Sequence, residues 1–176
     1  MENLTAIDKL ADLLHDHAKP VVRPQRLAPS PIYDLDYRMT IIALAISIHG
    51  KTEADGSLRI ESARLKLVQF VAQRPILVRA LQRWARSSNG SDFLPGSSER
   101  LRRGYTGDST YDQVVQFMVA NGILRWDRKY LITIPGNLFL AHLLESSERE
   151  GMFTPERAVL QELKSIRITV SMLEGQ

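Results

Sequence analysis

The chain predicts a mainly α fold with one small β-hairpin, and three features lead there. Residues 39–48 are apolar at nearly every position, which marks a helix buried on most sides. Residues 111–120 carry Val114, Val115, Met118 and Val119 at helical spacing. Asn121-Gly122 then stops that helix, and two short apolar runs, 123–126 and 130–134, flank the charged turn Asp127-Arg128-Lys129. Helix, stop, strand, turn, strand is the closing half of a winged helix. The fold expected is a winged-helix-like core with a small β-hairpin and flanking N- and C-terminal helices.

Residues 1–36 form an N-terminal helix and a Pro-rich connector in this reading. Leu4, Ile7, Leu10, Leu13 and Leu14 recur at helical spacing, Asn3 or Thr5 can cap the start, and the helix stops before Pro20. Pro20, Pro24, Pro29 and Pro31 mark the connector. A helix on such a tether is expected to dock on a partner, with Leu10 and Leu14 in the contact.

The winged-helix-like unit is placed at 37–134. Gly50 can end the apolar helix, KTEADGS reads as a turn, and Leu58-Arg59-Ile60 as a short strand. Ser62 can cap a helix running to Gln73 with Leu65, Leu67, Val68 and Val71 inward. Arg74-Pro75 breaks it, and Pro75 suits the start of a helix with Leu77, Val78, Leu81, Trp84 and Ala85 inward and Arg79, Arg83 and Arg86 outward. Residues 87–107, rich in Ser and Gly, read as a long basic loop. Ser109 can cap the 111–120 helix.

Residues 135–176 read as a C-terminal helical extension. Helix resumes through Leu138, Leu140, Leu143 and Leu144, and Thr154 with Pro155 starts the last one. Val159, Leu163, Ile166, Val170 and Leu173 step by four, three, four and three, a heptad seam expected to pack on the body or on a partner helix.

Composition sets the class. With 176 residues, 44% of them hydrophobic and 24% charged, the chain can bury a real core without staples. It has no cysteine, which excludes disulfides, thiolate nucleophiles and cysteine-bound zinc. The acidic, amphipathic start does not resemble a secretion signal, and the most apolar run is half the roughly 20 residues a membrane crossing requires. A cytoplasmic protein is expected.

The net charge of +3 is unevenly spread. Residues 59–103 hold ten basic and three acidic side chains, nearly all the basic ones Arg, whereas both flanks are mildly acidic. Arg suits phosphate and bidentate carboxylate contacts, although a solvated helix face with packing Arg stems has the same composition. Arg100, Arg102, Arg103 and Tyr105 near the end of the loop, and Arg125, Arg128 and Lys129 at the wing, are the candidates for DNA contact. Trp126 and Tyr130 are expected to face each other across the hairpin.

Catalytic constellations are scarce. His15 and His17 diverge on a helix and do not share a metal as an i, i+4 pair does, and Asp34 and Asp36 suit turn and capping duty. No phosphate-binding glycine loop, nucleophile elbow or HExxH occurs. Neither enzyme activity nor a cofactor is expected.

The order of parts resembles a known group of proteins. LRIESARLKLVQFVAQRP, a polar stretch, YDQVVQFMVANGILRWDRKYLITIPGNLFLAHLLES and a final helix look like the small middle components of bacterial three-component defence systems with an SMC-like ABC ATPase, such as Lamassu. The layout is also similar to the winged-helix accessory subunits of bacterial condensins. This resemblance spans residues 37–173 and contains no catalytic motif. It implies a nonenzymatic subunit that joins an SMC-like ATPase to an effector such as a nuclease and helps hold or sense DNA. A free-standing winged-helix transcriptional regulator is the alternative. In that case the 111–120 helix enters the major groove.

Overall fold

A computed structural model describes residues 35–86, 97–149, 151 and 153–168 of the chain. Helix α1 (Leu35–His49) is its centre, with every residue from 38 to 46 buried. A helix without a polar stripe has no side to give to water and must be surrounded. Four later helices supply that cover. The buried Thr40 hydroxyl is satisfied by donating to the Asp36 carbonyl at 2.8 Å.

After α1, β1 (Lys51–Thr52) and β2 (Leu58–Glu61) form a hairpin, and α2 (Ser62–Ala72) follows directly. A 3₁₀ turn at Pro75–Leu77 leads into α3 (Val78–Arg86). Then come α4 (Ser97–Thr106), α5 (Ser109–Ala120), β3 (Leu124–Asp127), β4 (Tyr130–Thr133), α6 (Leu138–Arg149) and α7 (Thr154–Lys164). The four strands make one antiparallel sheet in the order β1-β2-β4-β3. Helices α2, α5, α6 and α7 all pack on α1.

This is a mainly α, winged-helix-like layout. Helix α1, strand β2, helix α2, helix α5 and the β3–β4 hairpin occur in winged-helix order, with β2 beside β4. Strand β1 adds one edge. Helices α3 and α4 are inserted between the second and third helices of the motif.

Two expectations are corrected here. The polar stretch 87–107 is not one loop, because Ser97–Thr106 is the helix α4. Leu101 and Tyr105, four apart, are its buried anchors at 4% and 1% exposure, and α4 packs on α2 and α3. Gly104 permits the approach: a Cβ there would lie 2.8 Å from Cζ of Phe70. Residues 87–96 lie outside the described residues.

The second correction concerns only the partner setting of the C-terminal seam, which takes the other expected setting and packs on the body. Val159, Leu163 and Ile166 are buried in the same core as α1 and α2, so they are an internal contact and do not face a partner. The helix ends at Lys164, with Ser165 as its C-cap, so Ile166 lies beyond it. Tyr37 of α1 fastens this end: its ring stacks on Phe153 at 5.6 Å and its hydroxyl donates to Glu156 at 2.8 Å. Burial, then the bond and charge of Glu156, push the Tyr37 phenol well above its ordinary range. Val170, Leu10 and Leu14 lie outside the described residues.

Candidate functional site

The β3–β4 hairpin is a wing with a two-residue tip. Asp127 pairs with Tyr130, leaving Arg128 and Lys129 as the turn. Arg128 has φ 54°, the left-handed region that Gly or Asn usually fills, and no other described non-glycine residue has positive φ. For a side chain of this size that conformation costs about 1–2 kcal/mol. The turn is tied to the body at Lys129, whose carbonyl accepts from Ser62 N–H at 2.9 Å and whose ammonium lies 3.0 Å from Glu61.

Strand register sorts the charges of the sheet. Lys51 pairs with Arg59, Arg59 with Ile132, and Ile132 with Arg125, so these four form one row across all four strands. Residues directly opposite share a face, and this row lies on the face away from the main core. Ile132 is nonetheless 5% exposed, between two Arg stems long enough to cover it. The next row on that face is Glu61, Tyr130 and Asp127. Arg59 joins the rows: its guanidinium lies 3.9 Å over the Tyr130 ring, 3.5 Å from Glu53 and 4.0 Å from Asp127.

Trp126 belongs to the opposite face, since its partner in register is Leu131. It does not face Tyr130, which corrects the cross-strand pair expected from sequence. At 49% exposure it is one of the larger apolar groups at the surface.

Helix α5 occupies the recognition-helix position. Its N-cap is Asp108, one residue earlier than the Ser109 expected, and accepts from Tyr111 N–H at 3.2 Å. The outward side presents Asp112, Gln113, Gln116 and Phe117, the last 42% exposed, and no cation. Lys66 of α2 reaches Asp112 at 2.8 Å. Such a surface has no charge to set against a phosphate backbone, and it offers an aromatic ring to a protein instead.

The sequence candidates therefore separate. Arg125 and Arg128 are exposed at the wing, with no ion-pair partner among the described residues. Lys129, also exposed, pairs with Glu61. Arg102 is half-buried and Arg103 exposed, both on helix α4, while the side chain of Arg100 lies outside the described residues. Tyr105 is corrected: it is a core residue and its ring is closed to a base. Burial pushes its phenol upward in pKa despite nearby Arg102.

Sequence reasoning passed over Arg59 as a functional group and Arg64 altogether. The alternation Leu58-Arg59-Ile60 pointed to an outward Arg59; nothing local pointed to Arg64. Among the described residues no group of three or more His, Asp or Glu side chains is placed to hold a metal ion, and no helix is long and apolar enough to cross a membrane. Comparison with known proteins finds no matching family model, no matching curated protein and no matching solved structure.

Proposed function

We propose that this chain is a non-catalytic winged-helix subunit that docks on a partner protein through the α5 side of the motif and touches DNA with its wing. The partner suggested by the order of parts is an SMC-like ABC ATPase, joined through this subunit to an effector such as a nuclease in a defence complex. One observation carries the reading. The helix that reads DNA in a winged-helix regulator here exposes Asp112, Gln113, Gln116 and Phe117 without a cation.

The wing supports the DNA part. Arg125 and Arg128 are exposed and form no ion pair among the described residues, and Arg128 holds an unfavourable φ that a glycine would adopt with less strain. Strain kept at an exposed tip is a mark of a side chain with a task. Contacts of this kind reach phosphates and do not read bases.

The regulator reading predicts a different behaviour, and a DNA-selection experiment separates the two. Pools of random duplex are to be bound, recovered and sequenced at moderate salt. Retention without an enriched palindrome is the expected outcome; strong enrichment of a short palindromic site would transfer the role to a free-standing regulator.

A further inference from the structure

A cavity of about 400 Å³ opens where the outer sheet face meets the end of α1 and the start of α2. That size falls within the roughly 300–1,000 Å³ of small-molecule sites. His49, Lys51, Glu53, Arg59, Glu61 and Arg64 contribute its polar wall. Their pairing is incomplete. Glu53 is taken by Arg59 at 3.5 Å and Glu61 by Lys129 at 3.0 Å. Lys51 and Arg64 have no carboxylate partner among the described residues.

The wall also collects orphaned polar atoms. Of five buried side-chain N or O atoms without a hydrogen-bond partner among the described residues, three belong here: Arg59 Nε, Arg64 Nε and His49 Nδ1. Buried polar groups in proteins are otherwise nearly always satisfied. His49 Nε2 lies 2.9 Å from the Leu160 carbonyl, which can only accept, so Nε2 holds the proton and Nδ1 keeps its lone pair. Burial first, and then the Arg64 charge, lower the imidazole to about 4, so it is neutral at physiological pH.

We propose that this cavity binds a small phosphomonoester of nucleotide size. The two cations without carboxylate partners, Lys51 and Arg64, match the nearly doubly negative phosphate, and Arg59 faces the same space. His49 Nδ1 offers an acceptor for a ligand hydroxyl. A carboxylate would leave one cation uncompensated. A metal cation is disfavoured because both glutamates already serve Arg59 and Lys129. The phosphodiester of a DNA backbone, singly charged, fits less well than a monoester. The site lies apart from the α5 surface and does not depend on the partner reading.

The test is titration calorimetry of the full chain with adenosine 5′-monophosphate, with adenosine as the uncharged control. Saturable heat with the monophosphate and none with adenosine is expected. Arg64→Gln should weaken binding roughly tenfold or more, the loss typical of a charge-assisted bond, and Lys51→Gln should weaken it in the same direction. Arg79→Gln, an exposed change on α3, should bind as the parent does. Circular dichroism checks that each variant is folded, and among the described residues Arg64 has no ion pair to lose. An oligonucleotide without terminal phosphate should fail to displace the monophosphate. Three results overturn the proposal: no saturable binding, parent-like affinity in the folded Arg64→Gln protein, or ready displacement by that oligonucleotide.

Discussion

Arg38 Nη1 and Asp108 Oδ2 lie 2.8 Å apart with their side chains 2% and 7% exposed, joining the central helix to the cap of the recognition-position helix. Asp108 also accepts from Tyr111 N–H at 3.2 Å and from Gln69 Nε2 at 3.3 Å. One carboxylate thus fixes α1, α2 and α5 together. Burial alone would raise its pKa; the bonds from Arg38, Tyr111 and Gln69 and the Arg38 charge outweigh that and hold it below the usual value.

Removing one member of this pair deprives the other of its buried counter-charge. Asp108→Ala or Arg38→Met is expected to cost about 3–5 kcal/mol, read from urea denaturation midpoints. The double replacement should be less damaging than the two single losses added. Strict additivity would deny the coupling.

Acid should weaken the fold in two stages. His49 titrates at about 4 in the folded chain against 6.5 when free, so the unfolded chain binds more protons between those values. The stability that neutral His49 contributes is complete above about pH 6.5 and is lost as pH falls towards 4. His49 is half-buried, so the loss is roughly 1–2 kcal/mol after screening. Asp108, lowered from 3.8, adds its own loss only below that value. Urea midpoints measured from pH 7 to 4 should fall in the parent and stay flatter in His49→Gln.

Gly104 tests the inserted helix. Ala at this position pushes into the Phe70 ring, which is itself 7% exposed and hemmed in, for a cost of roughly 1–3 kcal/mol. Thermal denaturation should show it. Gly104→Ala combined with Phe70→Leu should recover part of the loss.

The wing separates stability from binding. Arg128→Gly relieves the positive φ and should stabilise the chain by about 1 kcal/mol while weakening DNA binding. Arg125→Gln with Arg128→Gln should reduce the salt slope of DNA binding by about 2. An unchanged slope would clear the wing of phosphate contact.

The hairpin and its helix were legible because alternation and the Asn121-Gly122 stop are local signals. Their register was not. A two-residue turn in place of a three-residue one moved the partner of Trp126 from Tyr130 to Leu131, and with it the face on which Tyr130 lies. Helix α4 was hidden because only Leu101 and Tyr105 mark its inner side, among Ser, Arg and Gly. The seam of Val159, Leu163 and Ile166 was legible as a surface that becomes buried. Periodicity says nothing of what covers it, and here it is α1 and α2. The pairing of Arg38 with Asp108, seventy residues apart, leaves no trace in local pattern at all.

The most direct test of the docking claim is native co-purification of the tagged chain beside its Phe117→Asp variant, with mass spectrometry of everything retained at moderate salt. Phe117 is 42% exposed, so the variant should fold as the parent does. The account predicts a stoichiometric SMC-like ATPase on the parent and its loss from the folded variant. A parent recovered alone or with DNA only, or equal retention of the ATPase by both proteins, would contradict it.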